Sequence, residues 1–511
     1  MNEEKTMDGN KDVGRTVFVI SAFLCAAIGI WGVVSPDSLS GSAQALTSFC
    51  LTKLGWFYLL LCTFLVFVAG YFAFGPYGNI VLGQDDEVPE FGLGSWLAML
   101  FAAGMGAGLL FWGVAEPMYH FMSPPGMAGG TPEAAIQAMV ITNLHWGLHA
   151  WSAYGVSALI IAYFGFRKLE PNLLSSPIRK SFTHMWPNQI NRVCQIVDII
   201  AVLAVIFGVA GSLAMGIMLM NTGLNVVFES IPANSSVVQM ILLTLVAIAF
   251  MTSASTGLDQ GIKILSNLNM IIAVFILLFV VFLGPIQFIF EVFVNTLGTY
   301  MTQLIRMSFK MFPYKGLSGW TAGWTLTYLI WWVAWGPFVG IFIARISRGR
   351  TIRQFILGVV LVPTLFSMFW FSAFGGTALN IELFGSGGLG DIVLQDLTKG
   401  LFTFFSYFPF SDIVNLLALF LIFVFLITSA DSATFVVGMM TSNGSLNPAT
   451  KLKLTWGVII TILTVSTLLG GGISVAKAIA ITGAIPFSVI LLLQFVAFMR
   501  TIKNDPGKEV K

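Results

Sequence analysis

The sequence predicts an all-α polytopic membrane protein with twelve transmembrane helices. Of its 511 residues, 57% are hydrophobic and only 9% are charged, whereas soluble proteins carry about 25% charged residues. Apolar runs long enough to cross a hydrocarbon core of roughly 30 Å recur along the chain, and helices satisfy their own backbone hydrogen bonds in lipid. The predicted spans are 17–36, 55–75, 94–114, 134–164, 193–221, 236–254, 262–284, 319–346, 354–375, 411–441, 454–471 and 474–500.

The distribution of lysine and arginine predicts that both termini are cytoplasmic. In that orientation all but six of the 25 basic residues lie on the inner side, which is the bias expected of cytoplasmic loops. The six on the outer side are Lys53, Arg306, Lys310, Lys315, Lys399 and Lys477. The inner connection 76–93 departs from the rule, since it has four acidic residues and no basic one.

Composition excludes several classes of protein. The net charge is only +2 and the basic residues are spread over loops, so nucleic acid is not a predicted partner. The four cysteines lack the spacing of metal ligands or of a disulfide framework. No extramembrane domain is predicted, because the tails 1–15 and 501–511 are short.

Two interruptions suggest that the helices form two repeats. Gly104, Gly106 and Gly108 fall in span three, and Gly336-Pro337 falls in span eight, five spans later. Broken helices at matching positions of two halves are typical of inverted-repeat transporters with a midplane site. The alternative is that membrane helices simply tolerate small residues. The predicted units are helices 1–2 with their loop (16–93), a first five-helix repeat (94–284), an amphipathic segment at the lipid interface (285–318) and a second repeat (319–500).

Aromatic side chains concentrate on two of these helices. Trp146, Trp151 and Tyr154 share one face of span four, and Trp331 and Trp335 lie one turn apart on span eight with Trp332 beside them. Aromatic faces bind cations that have no hydrogen bonds to donate, such as quaternary ammonium groups. These rings therefore predict a site for a betaine-like compound, with plain packing between helices as the alternative.

Four stretches resemble the betaine/choline/carnitine transporter family, and the resemblance covers nearly the whole chain. They are Phe101–Pro117, His145–Tyr154, Gly323–Trp332 and Ala344–Arg350. The resemblance implies a LeuT-like fold of five plus five helices, usually a homotrimer, in a bacterial inner membrane. It also implies that Trp146, Trp151, Tyr154 and Trp332 form the central box, with Trp331 and Trp335 flanking the pathway. Tyr119 matches a box residue of the carnitine exchanger, and Gly104, Gly106 and Gly108 complete the candidate substrate site.

A hydroxyl pair on span ten, Thr428-Ser429, suggests how transport is coupled. In sodium-coupled members of the family, one site uses carbonyls matching Ala102, Met105 and Phe425 with hydroxyls matching Thr428 and Ser429. The alternative is that both hydroxyls bond to their own helix. A second sodium site would align with Val205 and Val209, which offer no side-chain oxygen, so the number of coupled ions stays open.

The predicted function is sodium-coupled symport of glycine betaine or a related quaternary ammonium zwitterion by alternating access, with no cofactor beyond the coupling ion. Proton-coupled choline carriers of this family tend to have an acid where this chain has Gly108, which favours a substrate with its own carboxylate. The alternatives are a sodium-independent carnitine/betaine exchanger and a proton-coupled choline symporter. A membrane enzyme that binds metal through His145 and His149 is the rival from another class. The residues do not rank glycine betaine, carnitine, proline betaine and sulfonium analogues.

Overall fold

The computed structural model describes residues 2–104, 106–182, 186–256, 263–470 and 472–507, without the side chains of 2–13, 102–103 and 472–473. These residues are mostly helical, and 11 of their helices are long and apolar enough to cross a membrane. One further pair, Leu93–Phe101 and Gly106–Met122, is bent by 64° and gives twelve spans if it counts as one. The predicted all-α polytopic membrane fold is confirmed.

The helices follow one another with short connections. Their bounds are α1 (Asn2–Val34), α2 (Pro36–Lys53), α3 (Gly55–Phe74), α4 (Leu93–Gly104), α5 (Gly106–Met122), α6 (Pro132–Trp146), α7 (Leu148–Ala162), α8 (Ser176–Ser181), α9 (Pro187–Val227), α10 (Ser236–Thr256), α11 (Lys263–Leu283), α12 (Ile286–Ser308), α13 (Ser318–Thr321), α14 (Thr327–Ile346), α15 (Ile352–Ile356), α16 (Val362–Phe384), α17 (Leu389–Gln395), α18 (Gly400–Ser406), α19 (Ser411–Met440), α20 (Thr450–Leu469), α21 (Gly472–Ile481) and α22 (Ala484–Ile502).

The fourth span divides at Gly147, between α6 and α7. A Cβ added to Gly147 would lie 2.5 Å from the carbonyl oxygen of Asn143 and 3.1 Å from the hydroxyl oxygen of Tyr300. That hydroxyl, from α12, accepts a hydrogen bond of 3.3 Å from the backbone N–H of Leu148. A glycine at the break therefore lets α12 approach and satisfy an N–H at the start of α7.

The predicted break at Gly336-Pro337 is wrong. Helix α14 continues from Thr327 to Ile346 with Pro337 inside it, and the irregular stretch lies earlier, as a π-helical turn at 322–326. Neighbouring helices fit closely around the Gly-Pro pair. Ser157 of α7 donates a hydrogen bond of 3.4 Å to the carbonyl of Gly336, and the ring of Phe487 lies 2.5 Å from where a Cβ of Gly336 would be. Packing holds this helix continuous although proline removes one of its hydrogen bonds.

The predicted amphipathic segment contains one long helix, α12. Its buried face carries Ile289, Thr296, Tyr300 and Met307, and it packs against α6 and α16. Large apolar side chains remain exposed on its other side: Phe290, Val294, Met301 and Ile305. Helix α2 (Pro36–Lys53) lies between the predicted spans 17–36 and 55–75 and was not predicted as a helix.

The acidic connection 76–93 is neutralised by ion pairs. Glu90 lies 2.7 Å from Arg345, Glu87 pairs with Arg348 and Asp85 pairs with Arg167. Backbone hydrogen bonds also join this connection to residues 349–353, for example from Leu82 N–H to the Arg350 carbonyl at 2.8 Å. Arginines at the end of α14 and after α7 therefore balance acidic residues of this connection.

The C-terminal segment is attached to the same region through Asp505. This buried carboxylate accepts hydrogen bonds from Arg167 at 3.0 Å, Lys168 at 2.8 Å and Tyr163 at 2.8 Å. Burial alone would raise the pKa of Asp505, but these donors outweigh it and hold that pKa well below its usual range.

Candidate functional site

A cavity lies at the bend between α4 and α5. Helices α6, α9, α14 and α19 complete its wall. Its lining includes most of the predicted substrate residues: Gly104, Gly106, Gly108, Trp146, Trp331, Trp332 and Trp335. Phe111, Trp112, Val209, Ser212 and Ser429 also contribute. The wall is apolar and aromatic with few polar groups, as small-molecule sites usually are.

The rings of α6, α7 and α14 form one continuous cluster beside this cavity. The ring centroids of Trp146 and Trp332 are 5.1 Å apart, those of Trp332 and Tyr154 are 5.9 Å apart, and those of Tyr154 and Trp151 are 5.9 Å apart. Trp331 stacks on Trp332 at 5.7 Å. Trp151 and Tyr154 lie behind the lining rather than in it, and among the described residues neither the Trp151 indole N–H nor the Tyr154 hydroxyl has a hydrogen-bond partner.

The glycines at the bend make room for these rings. A Cβ on Gly104 would lie 2.6 Å from the Trp151 ring, and one on Gly108 would lie 3.1 Å from the Trp146 ring. Gly106 has a φ of +49°, a conformation that favours glycine. The space at the bend therefore depends on glycines, which have no side chains, at Gly104 and Gly108.

One carboxylate, Glu116 on α5, fixes the cluster from behind. It accepts a hydrogen bond of 2.7 Å from the indole N–H of Trp146, and its other oxygen lies 2.6 Å from His145 Nδ1. The His145 carbonyl in turn accepts a hydrogen bond of 2.7 Å from the Trp332 indole. Glu116 thus orients Trp146, and the backbone of His145 orients Trp332.

Sequence reasoning missed Glu116 as a functional residue. The predicted span 94–114 ends before Glu116, whereas α5 continues to Met122 and buries this carboxylate. An ionisable residue within a membrane span is functional by default. What the sequence did not reveal is that this acid, 30 positions before Trp146, would meet its indole nitrogen.

The two histidines of the metal alternative point to different partners. His145 pairs with Glu116, whereas His149 lies 3.1 Å from the Ser308 hydroxyl. A different group, Glu116, His120 and His145, offers ligand atoms that all lie within 4.8 Å of one another. Its carboxylate is already engaged by His145 and Trp146, which fits a hydrogen-bonded network that holds the indoles.

Tyr119 lies in a second aromatic cluster, one side of which meets the cavity. This cluster comprises Trp112, Tyr119, His120, Trp324 and Tyr328. Tyr119 is 4.5 Å from Trp324, and Trp324 is 5.9 Å from Trp112, which lines the cavity. Tyr119 itself is outside the lining and does not contact the central rings directly.

The candidate sodium ligands separate into two groups. Ser429 lines the cavity, and its hydroxyl oxygen lies 3.4 Å from where a Cβ of Gly106 would be. The Thr428 hydroxyl donates to the Phe425 carbonyl at 3.0 Å and accepts from the Asn269 amide at 3.1 Å. Ala102 lies in the last turns of α4, and Met105 lies outside the described residues.

The positions aligned with a second sodium site remain apolar. Val209 lines the cavity, as does Ser212, whose hydroxyl has no hydrogen-bond partner among the described residues. Ser212 is therefore the residue through which α9 contributes a side-chain oxygen to the cavity lining.

The chain is similar to known transporters along nearly its whole length. A family model described as "BCCT, betaine/carnitine/choline family transporter" matches residues 16–507. The chain is 42% identical to the glycine betaine transporter OpuD of Bacillus subtilis, over 98% of this chain and 96% of that protein. It is 41% identical to an ectoine/hydroxyectoine transporter of Virgibacillus pantothenticus, over 97% and 98% of the two chains. It is 34% identical to the osmo-independent choline transporter BetT1 of Acinetobacter baylyi, over 97% and 94%.

Proposed function

Because the chain belongs to the betaine/carnitine/choline family of transporters, we propose that it carries glycine betaine or a related zwitterion by sodium-coupled symport. It is a transport protein rather than an enzyme. The single observation that carries the choice of substrate is the contact of Trp146 with Trp332 at 5.1 Å on the wall of the cavity. Two indoles that meet at an angle give a methylated ammonium group two ring faces and no competing hydrogen-bond acceptor.

The bend between α4 and α5 supports a zwitterionic substrate. Backbone N–H groups freed where a helix restarts attract negative charge, and α5 restarts at Gly106 on the cavity wall. A substrate with its ammonium group at the indoles would direct its carboxylate toward this helix start. Position 108 holds glycine and not an acidic residue, which would attract a cationic substrate.

Sodium coupling is supported by the oxygens of α19. The Thr428 hydroxyl and the Phe425 carbonyl are 3.0 Å apart, and ligands of one hard cation at 2.3–2.6 Å lie roughly 3–4 Å from each other. Ser429 faces Gly106 across the bend. These residues would hold a sodium ion between the broken span and α19, so that ion binding favours one arrangement of the bend.

The cellular setting is part of the same proposal. The excess of basic residues on one side supports cytoplasmic termini in a bacterial inner membrane. Assembly as a homotrimer is carried over from the family resemblance, and its test is the mass of the purified protein in detergent.

The decisive experiment is uptake into proteoliposomes that contain the purified protein. Labelled glycine betaine, ectoine, carnitine and choline are each offered with an inward sodium gradient, with an equal potassium gradient, and with a proton gradient alone. We expect accumulation of glycine betaine that requires sodium. Exchange of preloaded betaine without sodium would replace the proposal with the exchanger, and choline uptake driven by protons would replace it with a choline symporter.

Trp456 supplies a matched control for the aromatic site. It is fully buried and donates a hydrogen bond of 3.0 Å to Thr441, but it does not line the cavity. Trp456→Phe is therefore expected to retain uptake, which distinguishes a loss at the site from general damage to a tryptophan-rich membrane protein.

A further inference from the structure

A lysine ammonium group occupies the second aromatic cluster. The Nζ atom of Lys477, on α21, lies 4.5 Å from the ring centroid of Trp112 and 5.5 Å from that of Trp324. Its side chain is only partly exposed. Among the described residues, this ammonium forms neither a hydrogen bond nor an ion pair of 4.0 Å or less. Two indole faces thus hold a bare primary ammonium next to the cavity.

Trp112 connects this cation to the substrate cavity. Its ring is part of the cavity lining, and Gly108 leaves its Cδ1 accessible at 4.0 Å from an added Cβ. Trp112 lies one helical turn after Gly108 on α5. The C-terminal end of α5 lies near the start of α14. That end is the one predicted to face outside, so the ammonium lies beside the approach to the central rings.

The carboxylate of Glu116 does not form an ion pair with this ammonium. Both of its oxygens already accept hydrogen bonds, from His145 at 2.6 Å and from Trp146 at 2.7 Å. Its electrostatic interaction with Lys477 acts at a distance longer than an ion pair. A positive charge consequently lies against Trp112, a residue of the cavity wall, without a carboxylate paired to it.

We propose that Lys477 is a charge filter that selects net-neutral zwitterions over net cations. This inference rests on the proposed function and names its substrate class. A betaine brings a carboxylate that the ammonium attracts, whereas choline brings only a second positive charge. At a separation of roughly 10 Å and an effective dielectric constant of about 20, one unit charge changes affinity on the order of tenfold.

The test compares Lys477→Met and Lys477→Gln with Lys477→Arg. Both neutral variants keep a long side chain in contact with Trp112 and Trp324, and either suffices if the other fails to give a monodisperse protein. Binding of labelled glycine betaine and of labelled choline is measured on the purified full chain. Lys399→Met is the control, because it removes an exposed lysine predicted to lie on the same side of the membrane.

The expected result is a fall of about tenfold in the preference for glycine betaine over choline in the neutral variants. Lys477→Arg and Lys399→Met should keep the preference of the unmodified protein. A preference unchanged within twofold in the neutral variants overturns the filter, and so does an equal gain for both ligands, which would mean that the lysine merely obstructs the route. If the unmodified protein binds neither ligand, the proposed function itself fails, and that result is distinct from both.

Discussion

Replacing Trp332 with leucine removes a ring that packs against four other aromatic rings. Trp332 is 4% exposed, and its centroid lies 5.1 Å from Trp146, 5.7 Å from Trp331, 5.8 Å from Tyr328 and 5.9 Å from Tyr154. A cation held against such a ring away from water gains about 2 kcal/mol. We therefore expect Trp332→Leu to weaken glycine betaine binding roughly 30-fold.

Trp332→Phe separates the ring from its hydrogen bond. Both variants lose the indole N–H that donates to the His145 carbonyl at 2.7 Å, which costs stability in each. Only the leucine variant also loses the aromatic face. Phenylalanine should therefore weaken binding by about 2- to 5-fold, since it retains a smaller π surface.

The assay is equilibrium binding of labelled glycine betaine to purified protein, with thermal unfolding recorded for each variant. Trp456→Leu provides the matched loss of a buried tryptophan outside the cavity. The reasoning is refuted if folded Trp332→Leu binds within threefold of the unmodified protein. It is also refuted if phenylalanine weakens binding as much as leucine does, because the effect would then belong to the hydrogen bond.

Three further predictions concern the groups around the site and the C-terminal segment. Glu116→Gln should weaken betaine binding about tenfold by loosening Trp146, because charge-assisted hydrogen bonds contribute about 1.5–3 kcal/mol. Glu133→Gln, at an exposed position, is the control. Equal betaine binding by the two variants would contradict the role of Glu116 in orienting Trp146. Ser429→Ala should raise the sodium concentration for half-maximal uptake on the order of tenfold without changing maximal uptake at saturating sodium. Ser432→Ala, on the same helix, should leave that sodium concentration unchanged. An unaltered sodium requirement in Ser429→Ala would remove Ser429 from the proposed ion site. The depressed pKa of Asp505 favours its ionised form in the folded protein, so this carboxylate should stabilise the C-terminal segment above a pH of about 4 and lose that effect only as the pH falls through the folded pKa. Hydrogen exchange of residues 503–507 should thus be slow from pH 5 to 8, and it should become fast at neutral pH in Asp505→Asn. Equal exchange rates in the two proteins would disprove the attachment.

The membrane fold and the main aromatic residues follow from the sequence alone. Apolar length fixes where helices cross a bilayer, because a helix satisfies its own backbone hydrogen bonds there. Periodicity placed Trp151 and Tyr154 together on α7, since the helical repeat decides which residues share a side; Trp146 belongs to α6, across the break at Gly147. These are local properties, so they need no knowledge of which helices become neighbours.

Tertiary packing decided the rest, and the physical reason is that contacts between distant segments depend on shape. Glu116 meets Trp146 only because α5 and α6 pack together, and Lys477 reaches Trp112 only because α21 closes against the same bundle. Pro337 predicts a break, yet neighbouring side chains keep α14 continuous. Glu90 of the acidic connection 76–93 pairs with Arg345, which lies 255 positions later in the chain.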